Sequence, residues 1–496
     1  MDLLLLLGAL VLGTVSAAPP NFVLVFADDL GFGDLGCYGH PSSLTPNLDR
    51  MAAGGLRFTD FYCTSASCSP SRASLLTGRY QTRTGVYPGV FFPSSIGGLP
   101  LNETTIAEVL KTRGYSTAAM GKWHLGFGTN GTFLPVRQGF DHFLGIPYSH
   151  DQGPCDNMTC FYPDGKCFGT CDQDTVVVPL MKDDIITEQP ISFIDLEKSY
   201  SDFGVNFIKS SVKKQQPFFL YYPAHHTHYP QYAGRGAAGR SLRGPFGDSL
   251  LELDDTIGRL IETLRENGVL NNTLVFFTAD NGPQLSLMSR GGNSGPLKCG
   301  KGTTYEGGMR MPSIAYWPGT IRPGVTHELA STLDLLPTFA RLAGAKLPDV
   351  FLDGVDMTEL LTNRGKSKRE VMMFYPIHPN KIHGLFAIRL GKYKAHYYTE
   401  GNGRSGSTPD HNCSISLQFH HPPLLFDLEA DVSENYPLNV TERPDLQDVL
   451  EQIKKVKLQF EASMVFGESQ IEKGKDPNLE PCCRPQCSPK PQCCHC

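Results

Sequence analysis

The sequence predicts an α/β protein in which a large, doubly wound sheet is covered by helices and followed by a smaller C-terminal antiparallel sheet domain. Two observations carry this prediction. Short runs of β-branched and aromatic residues recur through the first 345 residues, and segments with apolar residues spaced three and four apart lie between them. A chain that alternates strands with helices in this way folds into a sheet with helices on both faces.

Four apolar runs are the predicted strands, and polar residues follow each run directly. Short runs without polar alternation are typical of strands that are buried on both faces. In doubly wound sheets, ligands bind beyond the carboxyl ends of the strands, so we expect these polar residues to share one site. The strands are predicted over residues 21–27, 117–120, 218–222 and 273–279, and helices over residues 106–111 and 249–264.

The character of the chain changes near residue 346. Residues 385–389 and 393–398 resemble antiparallel strands, with a turn at Gly391-Lys392 between them. We therefore expect two domains: an α/β domain over residues 18–345 that holds the site, and a smaller domain over residues 346–496 that ends in a cysteine-rich tail.

The first 17 residues predict a secretory signal peptide. An apolar run from Leu3 to Leu12 is too short to span a bilayer, and it precedes a small-residue segment with its cleavage point after Ala17. No later apolar stretch is long enough for a transmembrane helix. The net charge of −6 and the lack of a basic run argue against nucleic-acid binding. We expect a soluble protein of the secretory pathway.

The cysteines agree with an oxidising compartment. Behind a signal peptide, clustered cysteines are far more often disulfides than zinc ligands. We expect Cys299 to pair with Cys413, whereas Cys37 and Cys63 stay unassigned. The clusters are Cys155, Cys160, Cys167 and Cys171, and then Cys482, Cys483, Cys487, Cys493, Cys494 and Cys496. N-glycosylation sequons lie at Asn102, Asn130, Asn157, Asn271, Asn412 and Asn439.

Cys68 opens the most informative segment of the chain. Pro70 follows two residues later and Arg72 four residues later, and the next residues predict a buried helix. Arg72 would lie one helical turn from Cys68 and can stabilise negative charge there. Taken alone, a cysteine in a secreted chain is more often a small buried residue or half of a disulfide. A disulfide between Cys63 and Cys68 is therefore the specific alternative to a functional Cys68.

Acidic and amide side chains follow two of the predicted strands. Asp28 and Asp29 end the first strand, and Asp280 and Asn281 end the fourth. Their hard oxygen ligands suit Ca²⁺ or Mg²⁺ better than zinc, which prefers histidine or cysteine. The alternative is that adjacent acids cap a helix or face solvent.

Lysines and histidines in other segments supply positive charge and proton transfer. Lys122 and Lys301, each beside glycine, can bind the oxygens of an anionic ester, and His228 or His124 can protonate the alcohol that leaves. The alternatives are solvated surface lysines and a structural patch of histidines near position 226.

Together these residues resemble the type I sulfatases. Residues 68–78 match the first signature of that family, and residues 114–124 match the second except at Met120, where a small residue is usual. The resemblance implies an alkaline phosphatase-like fold with a large mixed sheet. The likeness runs along the whole chain, through residues 145–151, 225–228, 277–282 and 300–306 to the Cys-Cys-His-Cys end.

The resemblance also implies a role for each candidate residue. A formylglycine-generating enzyme oxidises the cysteine of this motif, so Cys68 would become formylglycine, and one hydroxyl of its hydrate would be the nucleophile. The second hydroxyl permits elimination of sulfate, whereas a serine would hold a stable sulfate ester. Arg72 and His124 would support the hydrate, with Ser149 nearby. Lys122, Lys301 and His228 would contact the sulfate, with His228 protonating the leaving oxygen. The implied ligands of Ca²⁺, or of Mg²⁺, are Asp28, Asp29, residue 68, Asp280 and Asn281.

Family likeness further implies a lysosomal enzyme, delivered by phosphorylated mannose, that acts on aryl sulfates and on sulfated glycolipids such as cerebroside 3-sulfate. One alternative is a phosphomonoesterase or phosphodiesterase of the alkaline phosphatase superfamily, although those enzymes usually carry a serine or threonine nucleophile and two metals. A second is a non-catalytic secreted protein on the same scaffold. The sequence leaves homo-oligomer formation open.

Overall fold

An eleven-stranded mixed sheet and a four-stranded antiparallel sheet form the framework of the protein. The computed structural model describes residues 18–153, 177–401, 413–488 and 493–496. The predicted signal peptide, residues 1–17, lies outside the described residues. So does the first cysteine cluster, Cys155, Cys160, Cys167 and Cys171.

The large sheet contains eleven strands in the order β10-β2-β9-β8-β1-β7-β3-β4-β5-β6, with β11 paired to β2. Their bounds are β1 (Asn21–Ala27), β2 (Leu56–Tyr62), β3 (Ser116–Lys122), β4 (His142–Ile146), β5 (Leu180–Lys182), β6 (Ile185–Glu188), β7 (Phe218–Pro223), β8 (Thr273–Ala279), β9 (Arg310–Tyr316), β10 (Gly324–Thr326) and β11 (Ala330–Ser331).

Five neighbouring strands, β8-β1-β7-β3-β4, run parallel, so their carboxyl ends meet at one edge of the sheet. All four predicted strands lie in this group and are confirmed. The first and fourth have the predicted bounds, whereas β3 continues to Lys122. Lys122 is therefore the last residue of a strand rather than the start of a loop. The sheet is mixed because β9 pairs antiparallel with both β2 and β8.

Helices cover both faces of the large sheet, which confirms the doubly wound α/β class. In β1, Val23 and Val25 pack in the same core as α5 and α6, while Phe22 and Leu24 pack with α2, α4 and α8. The helices are α1 (Pro46–Gly54), α2 (Cys68–Thr77), α3 (Gln81–Thr84), α4 (Ile106–Lys111), α5 (Phe193–Lys213), α6 (Gly244–Glu266), α7 (Glu306–Met309), α8 (Leu335–Ala343), α9 (Thr358–Asn363) and α10 (Pro444–Ser463). Short 3₁₀ helices span Gly36–Tyr38, Thr129–Gly131, Pro135–Arg137, Leu270–Asn272, Leu285–Arg290, Thr332–Asp334 and Pro477–Leu479.

The C-terminal sheet is antiparallel, as the sequence predicts. Its strands are β12 (Val371–Phe374), β13 (Ala387–Leu390), β14 (Tyr393–Thr399) and β15 (Gln418–Asp427), and the predicted turn at residues 391–392 joins β13 to β14. Phe374 of this sheet contacts Tyr62 of the large sheet, with ring centroids 5.5 Å apart. The two sheets therefore pack directly on each other.

The predicted disulfide between Cys299 and Cys413 is present. Within the described part of the chain, Cys37, Cys63 and Cys68 carry no disulfide. The alternative of a bond between Cys63 and Cys68 is therefore wrong. The tail pairs are Cys482–Cys494, Cys483–Cys496 and Cys487–Cys493.

The described N-glycosylation sequons lie on the surface of the protein. The four sequon asparagines among the described residues, Asn102, Asn130, Asn271 and Asn439, are all exposed. Asn157 and Asn412 lie outside the described residues. No helix in the described ranges has both the length and the apolar character needed to cross a membrane.

Candidate active site

Cys68 is the first residue of α2, and its side chain is 2% exposed. Proline is tolerated in the first turn of a helix because the backbone N–H groups there have no partner within the helix, so Pro70 fits. Gly78 ends α2 in the left-handed conformation at φ 66°, which glycine adopts without strain. Every residue of α2 is buried. The helix therefore presents Cys68 from inside the core to the carboxyl edge of the sheet.

Three charged groups surround the Cys68 sulfur. It lies 3.5 Å from Asp28 Oδ1, 3.6 Å from Lys122 Nζ and 3.8 Å from Lys301 Nζ. Burial raises the pKa of the Cys68 thiol well above its ordinary value, and Asp28 adds to this, while the two lysines oppose it. A thiol with a raised pKa is a poor nucleophile because little thiolate forms. Unmodified Cys68 is therefore not an activated cysteine nucleophile.

Arg72 lies one helical turn after Cys68, and it is fully buried. Its guanidinium donates to Asp280 Oδ2 at 2.7 Å and to the Lys122 carbonyl oxygen at 3.1 Å, and it lies 3.6 Å from Asp28 Oδ2. The structure thus places Arg72 against the carboxylates, where it fixes their orientation and balances part of their charge.

The acids at the ends of β1 and β8 meet, as the sequence predicts. The Asp29 backbone N–H donates to Asp280 Oδ1 at 3.2 Å, and Asn281 Nδ2 donates to Asp29 Oδ1 at 2.7 Å. Ligand atoms of Asp28, Asp29, Cys68 and His228 lie within 4.8 Å of one another. The sequence predicts His228 as a proton donor and not as a metal ligand, so the structure adds it to this cluster.

The oxygen donors of Asp28, Asp29, Asp280 and Asn281 suit a hard divalent cation. Burial and the neighbouring Asp28 raise the pKa of Asp280 to about 7, which reflects the crowding of carboxylates. Burial alone would also raise the pKa of Asp28, but Lys122, His228 and Arg72 hold it well below its usual range. The buried Asn281 Oδ1 has no hydrogen-bond partner among the described residues. An unpaired amide oxygen beside clustered carboxylates provides ligands of the kind that Ca²⁺ and Mg²⁺ take.

Two lysines flank Cys68 from different segments of the chain. Lys122 Nζ donates to Asp28 Oδ2 at 2.5 Å, and Lys301 Nζ lies 2.7 Å from Asp29 Oδ1. Burial would lower the pKa of both lysines, but the adjacent carboxylates raise it above the ordinary value. Both ammonium groups are therefore charged and lie beside the residue that opens α2.

His228 and His124 occupy different positions in the site. His228 Nε2 lies 3.3 Å from Lys301 Nζ and 3.4 Å from Asp29 Oδ2, while its Nδ1 lies 2.6 Å from the Tyr229 carbonyl oxygen. With Nδ1–H donated to that carbonyl, Nε2 is the nitrogen that faces the charged cluster. Burial and Lys122 hold the pKa of His124 well below its ordinary value, so its ring is neutral.

A cavity of about 290 Å³ opens above these side chains, and its wall includes Cys68, His124, Ser149, His228 and Lys301. Apolar side chains of Val90, Phe92, Leu287 and Ile377 also line the cavity, and we call them the apolar rim. A larger cavity of about 900 Å³ lies between β14, β15 and α10 and contains none of the predicted site residues. The larger cavity therefore lacks the charged residues that the chemistry needs. We assign the candidate active site to the smaller cavity because the charged residues line it.

Sequence reasoning missed two residues of this wall, Asp151 and Gln152. Asp151 Oδ1 lies 4.0 Å from His228 Nδ1, and His228 in turn lowers the pKa of Asp151 against the effect of burial. The Ser149 backbone N–H donates to Gln152 Oε1 at 3.1 Å. The available signal is the family-like segment 145–151, which contains Asp151 and ends one residue before Gln152.

Comparisons with known proteins agree with this geometry. The sequence profile of the sulfatase family matches residues 20–345, and that of the C-terminal region of aryl-sulfatase matches residues 367–496. The chain is 57% identical to human arylsulfatase A over 99% of this chain and 98% of that protein. It is 56% identical to arylsulfatase A of Bos taurus over 98% of this chain and 97% of that protein.

A solved structure extends the likeness to three dimensions. The PsFucS1 sulfatase from Pseudoalteromonas sp. superposes with a TM-score of 0.77 at 29% identity, covering 91% of this chain and 92% of that one. With a family profile that spans the α/β core and relatives that align over nearly the whole length, the chain belongs to the sulfatase family and is a sulfuric ester hydrolase.

Proposed function

We propose that the protein is a lysosomal arylsulfatase that removes sulfate from cerebroside 3-sulfate and related sulfated glycolipids. The observation that carries the proposal is the surroundings of Cys68, whose sulfur has two lysine ammonium groups within 3.8 Å and a carboxylate at 3.5 Å. Positive charge converges there on the position where a sulfate group would react. The relatives named arylsulfatase A support an aryl sulfate as substrate, and the glycolipid is the further part of the proposal.

The residue that reacts would be formylglycine, made from Cys68 by the formylglycine-generating enzyme. The raised pKa of the thiol supports this, because the unmodified side chain has little nucleophilic thiolate. When hydrated, the aldehyde supplies one hydroxyl that attacks sulfur and a second that allows sulfate to leave.

The divalent cation would be held by Asp28, Asp29, Asp280 and Asn281 together with residue 68. Ca²⁺ suits this set better than Mg²⁺, because Ca²⁺ tolerates irregular coordination by several carboxylates. When bound, the ion would supply Lewis acidity to the sulfate group. Arg72, which lies 3.6 Å from Asp28 and 2.7 Å from Asp280, would keep both carboxylates oriented toward the ion.

The lysines and His228 would act on the substrate. Lys122 and Lys301 would bind sulfate oxygens from two sides of residue 68 and balance the charge that develops as the ester bond breaks. In its imidazolium form, His228 would keep Nδ1–H on the Tyr229 carbonyl and donate the Nε2 proton to the leaving oxygen. His124 and Ser149 would support the hydrated residue 68 from the cavity wall. The apolar rim would receive an aryl group or the lipid side of the substrate.

Mass spectrometry of the tryptic peptide covering residues 58–72 tests the central step. We expect the mass loss of a thiol converted to an aldehyde at residue 68 in active protein. Active protein that contains only an unmodified Cys68 would overturn the mechanism.

Substrate class needs a separate measurement. We expect hydrolysis of cerebroside 3-sulfate and of aryl sulfates, and little activity on the sulfated ends of glycosaminoglycans. The reverse preference would contradict the glycolipid proposal while leaving the chemistry of the site intact. Delivery to the lysosome and assembly into a homo-oligomer stay predictions.

A further inference from the structure

The loop that carries Lys301 is held between the two sheets. We define it as residues 298–305, the segment that precedes α7, and call it the Lys301 loop. On its inner side, the Lys301 backbone N–H donates to the Pro283 carbonyl at 2.9 Å, and the Gly302 N–H donates to the Ala66 carbonyl at 3.0 Å. These bonds place the loop against the segment that leads into Cys68.

On its outer side, the loop is held by Lys394 of β14. Lys394 is fully buried, and its ammonium donates to the Thr304 carbonyl oxygen at 2.8 Å and to Glu306 Oε1 at 2.9 Å. The same ammonium lies 3.0 Å from Glu434 Oε1. One side chain of the C-terminal sheet thus reaches the end of the Lys301 loop and the first residue of α7.

Glu434, which follows β15, holds both ends of the loop. Its Oε2 accepts from the Glu306 backbone N–H at 2.7 Å, and its backbone oxygen accepts from Lys298 Nζ at 3.2 Å. Its Oε1 also lies 2.7 Å from His396 Nε2. The disulfide from Cys299 to Cys413 adds a covalent link to the same C-terminal region.

Stability alone does not account for this arrangement. Buried ion pairs are often no more stabilising than apolar residues of the same volume, and their best-attested use is to specify geometry. Here Lys394 donates to the Thr304 carbonyl of the loop, and Glu434 accepts from the Glu306 N–H directly after it. These bonds to the backbone define where the loop lies. Burial would raise the pKa of Glu306, but Lys394, Arg310 and Arg389 together lower it to about 2, so this carboxylate is ionised.

We propose that Lys394 and Glu434 are positioning residues for Lys301. They hold the Lys301 loop so that the ammonium of Lys301 lies 3.8 Å from the sulfur of residue 68. The C-terminal sheet thereby takes part in sulfate binding without touching the substrate. This inference rests on the proposed role of Lys301 in binding sulfate.

A double-mutant cycle on the full-length, converted enzyme tests the inference. Lys301→Ala, Lys394→Met and the double variant are compared by kcat, KM and inhibition by inorganic sulfate. We expect Lys394→Met to weaken sulfate inhibition about tenfold, the scale of one charged hydrogen bond lost through misplacement. In the Lys301→Ala background, Lys394→Met should add little, because positions that act through one another are not additive.

The matched control is Arg369→Met. Arg369 is also buried and lies 2.5 Å from Asp334, but this ion pair does not include any residue of the Lys301 loop. We expect it to lower stability and leave the inhibition constant for sulfate unchanged. Glu434→Gln is the second variant, to be used if Lys394→Met fails to fold, and it should again be non-additive with Lys301→Ala. Conversion of residue 68 is checked in every variant by mass spectrometry.

The outcomes separate the two proposals. If Lys301→Ala leaves sulfate inhibition unchanged, the proposed function is wrong at Lys301, and this inference fails with it. If Lys301→Ala weakens inhibition but Lys394→Met and Glu434→Gln have no effect or are fully additive with it, the positioning role is overturned and the proposed function stands.

Discussion

The ammonium of Lys122 lies 2.5 Å from Asp28 Oδ2, and both side chains are fully excluded from solvent. Each group stabilises the charged form of the other. Lys122 lowers the pKa of Asp28 against the effect of burial, and Asp28 raises the pKa of Lys122. A buried pair that is both a candidate metal ligand and a candidate sulfate ligand links the stability of the protein to its chemistry.

Replacing Lys122 should therefore cost stability as well as activity. Lys122→Met leaves Asp28 buried with Arg72 at 3.6 Å as its remaining close cation among the described ion pairs. Because a buried charge loses its partner, we expect a loss of about 3 kcal/mol in the free energy of unfolding, measured by denaturant titration. The matched control is Lys111→Met, which breaks an exposed 2.7 Å pair with Asp141 and should cost less than about 1 kcal/mol. Equal losses of unfolding free energy in the two variants would contradict the claim that burial makes the Lys122–Asp28 pair more important for stability.

Removal of the cation should make stability depend on pH through Asp280. In metal-free protein the folded-state pKa of Asp280 is about 7, against an ordinary value of 3.8. Between these values the unfolded state binds fewer protons than the folded state, so this residue lowers stability as pH rises from about 4 to about 7. The measurement is the melting temperature of the wild type and of Asp280→Asn in the presence of a chelator, from about pH 4 to about pH 7. We expect the difference, wild type minus variant, to fall as pH rises.

Added Ca²⁺ should reverse the decline. At a concentration 100 times its dissociation constant, an ion that binds only the folded state adds about 2.7 kcal/mol. A wild-type melting temperature that is the same with chelator and with Ca²⁺ would argue against a cation at these acids.

Substitution of Cys63 should leave conversion of residue 68 intact. The buried Cys63 sulfur lies 3.3 Å from the Ser65 carbonyl oxygen and 3.4 Å from that of Met309, and burial raises its thiol pKa. Cys63→Ala loses these weak contacts, so we expect a destabilisation of about 1 kcal/mol with unchanged kcat/KM. The readout is the converted fraction of the peptide 58–72. A rise in that fraction would mean that Cys63 competes for Cys68 during maturation.

The role of His228 predicts a dependence on the leaving group. If Nε2 protonates the leaving oxygen, His228→Gln should lower kcat about 100-fold for an alkyl sulfate, whose alcohol needs the proton. The loss should be small for a nitrophenyl sulfate, because that phenolate leaves without it. His378→Gln, at the mouth of the same cavity, should affect both substrates alike. An equal loss on both substrates in His228→Gln would instead assign this residue to binding.

Much of the fold and of the site could be predicted from local patterns. The strands β1 and β8 can be predicted because a strand that is buried on both faces has a continuous apolar sequence. The acids, lysine and histidines that follow such strands share one edge because the strands are parallel. In contrast, β2 and β9 were not predicted, and these are the strands whose antiparallel pairing makes the sheet mixed.

What the sequence by itself determined was the motif at Cys68, the strands whose ends carry charge and the resemblance to sulfatases. Tertiary structure alone decided that Cys63 stays apart from Cys68, and that Lys301 reaches a sulfur 233 residues earlier in the chain. It also decided that Lys394 and Glu434 hold the loop that carries Lys301. The physical reason is that strand and helix patterns depend on neighbours in the chain, whereas buried charges are paired by packing between distant segments.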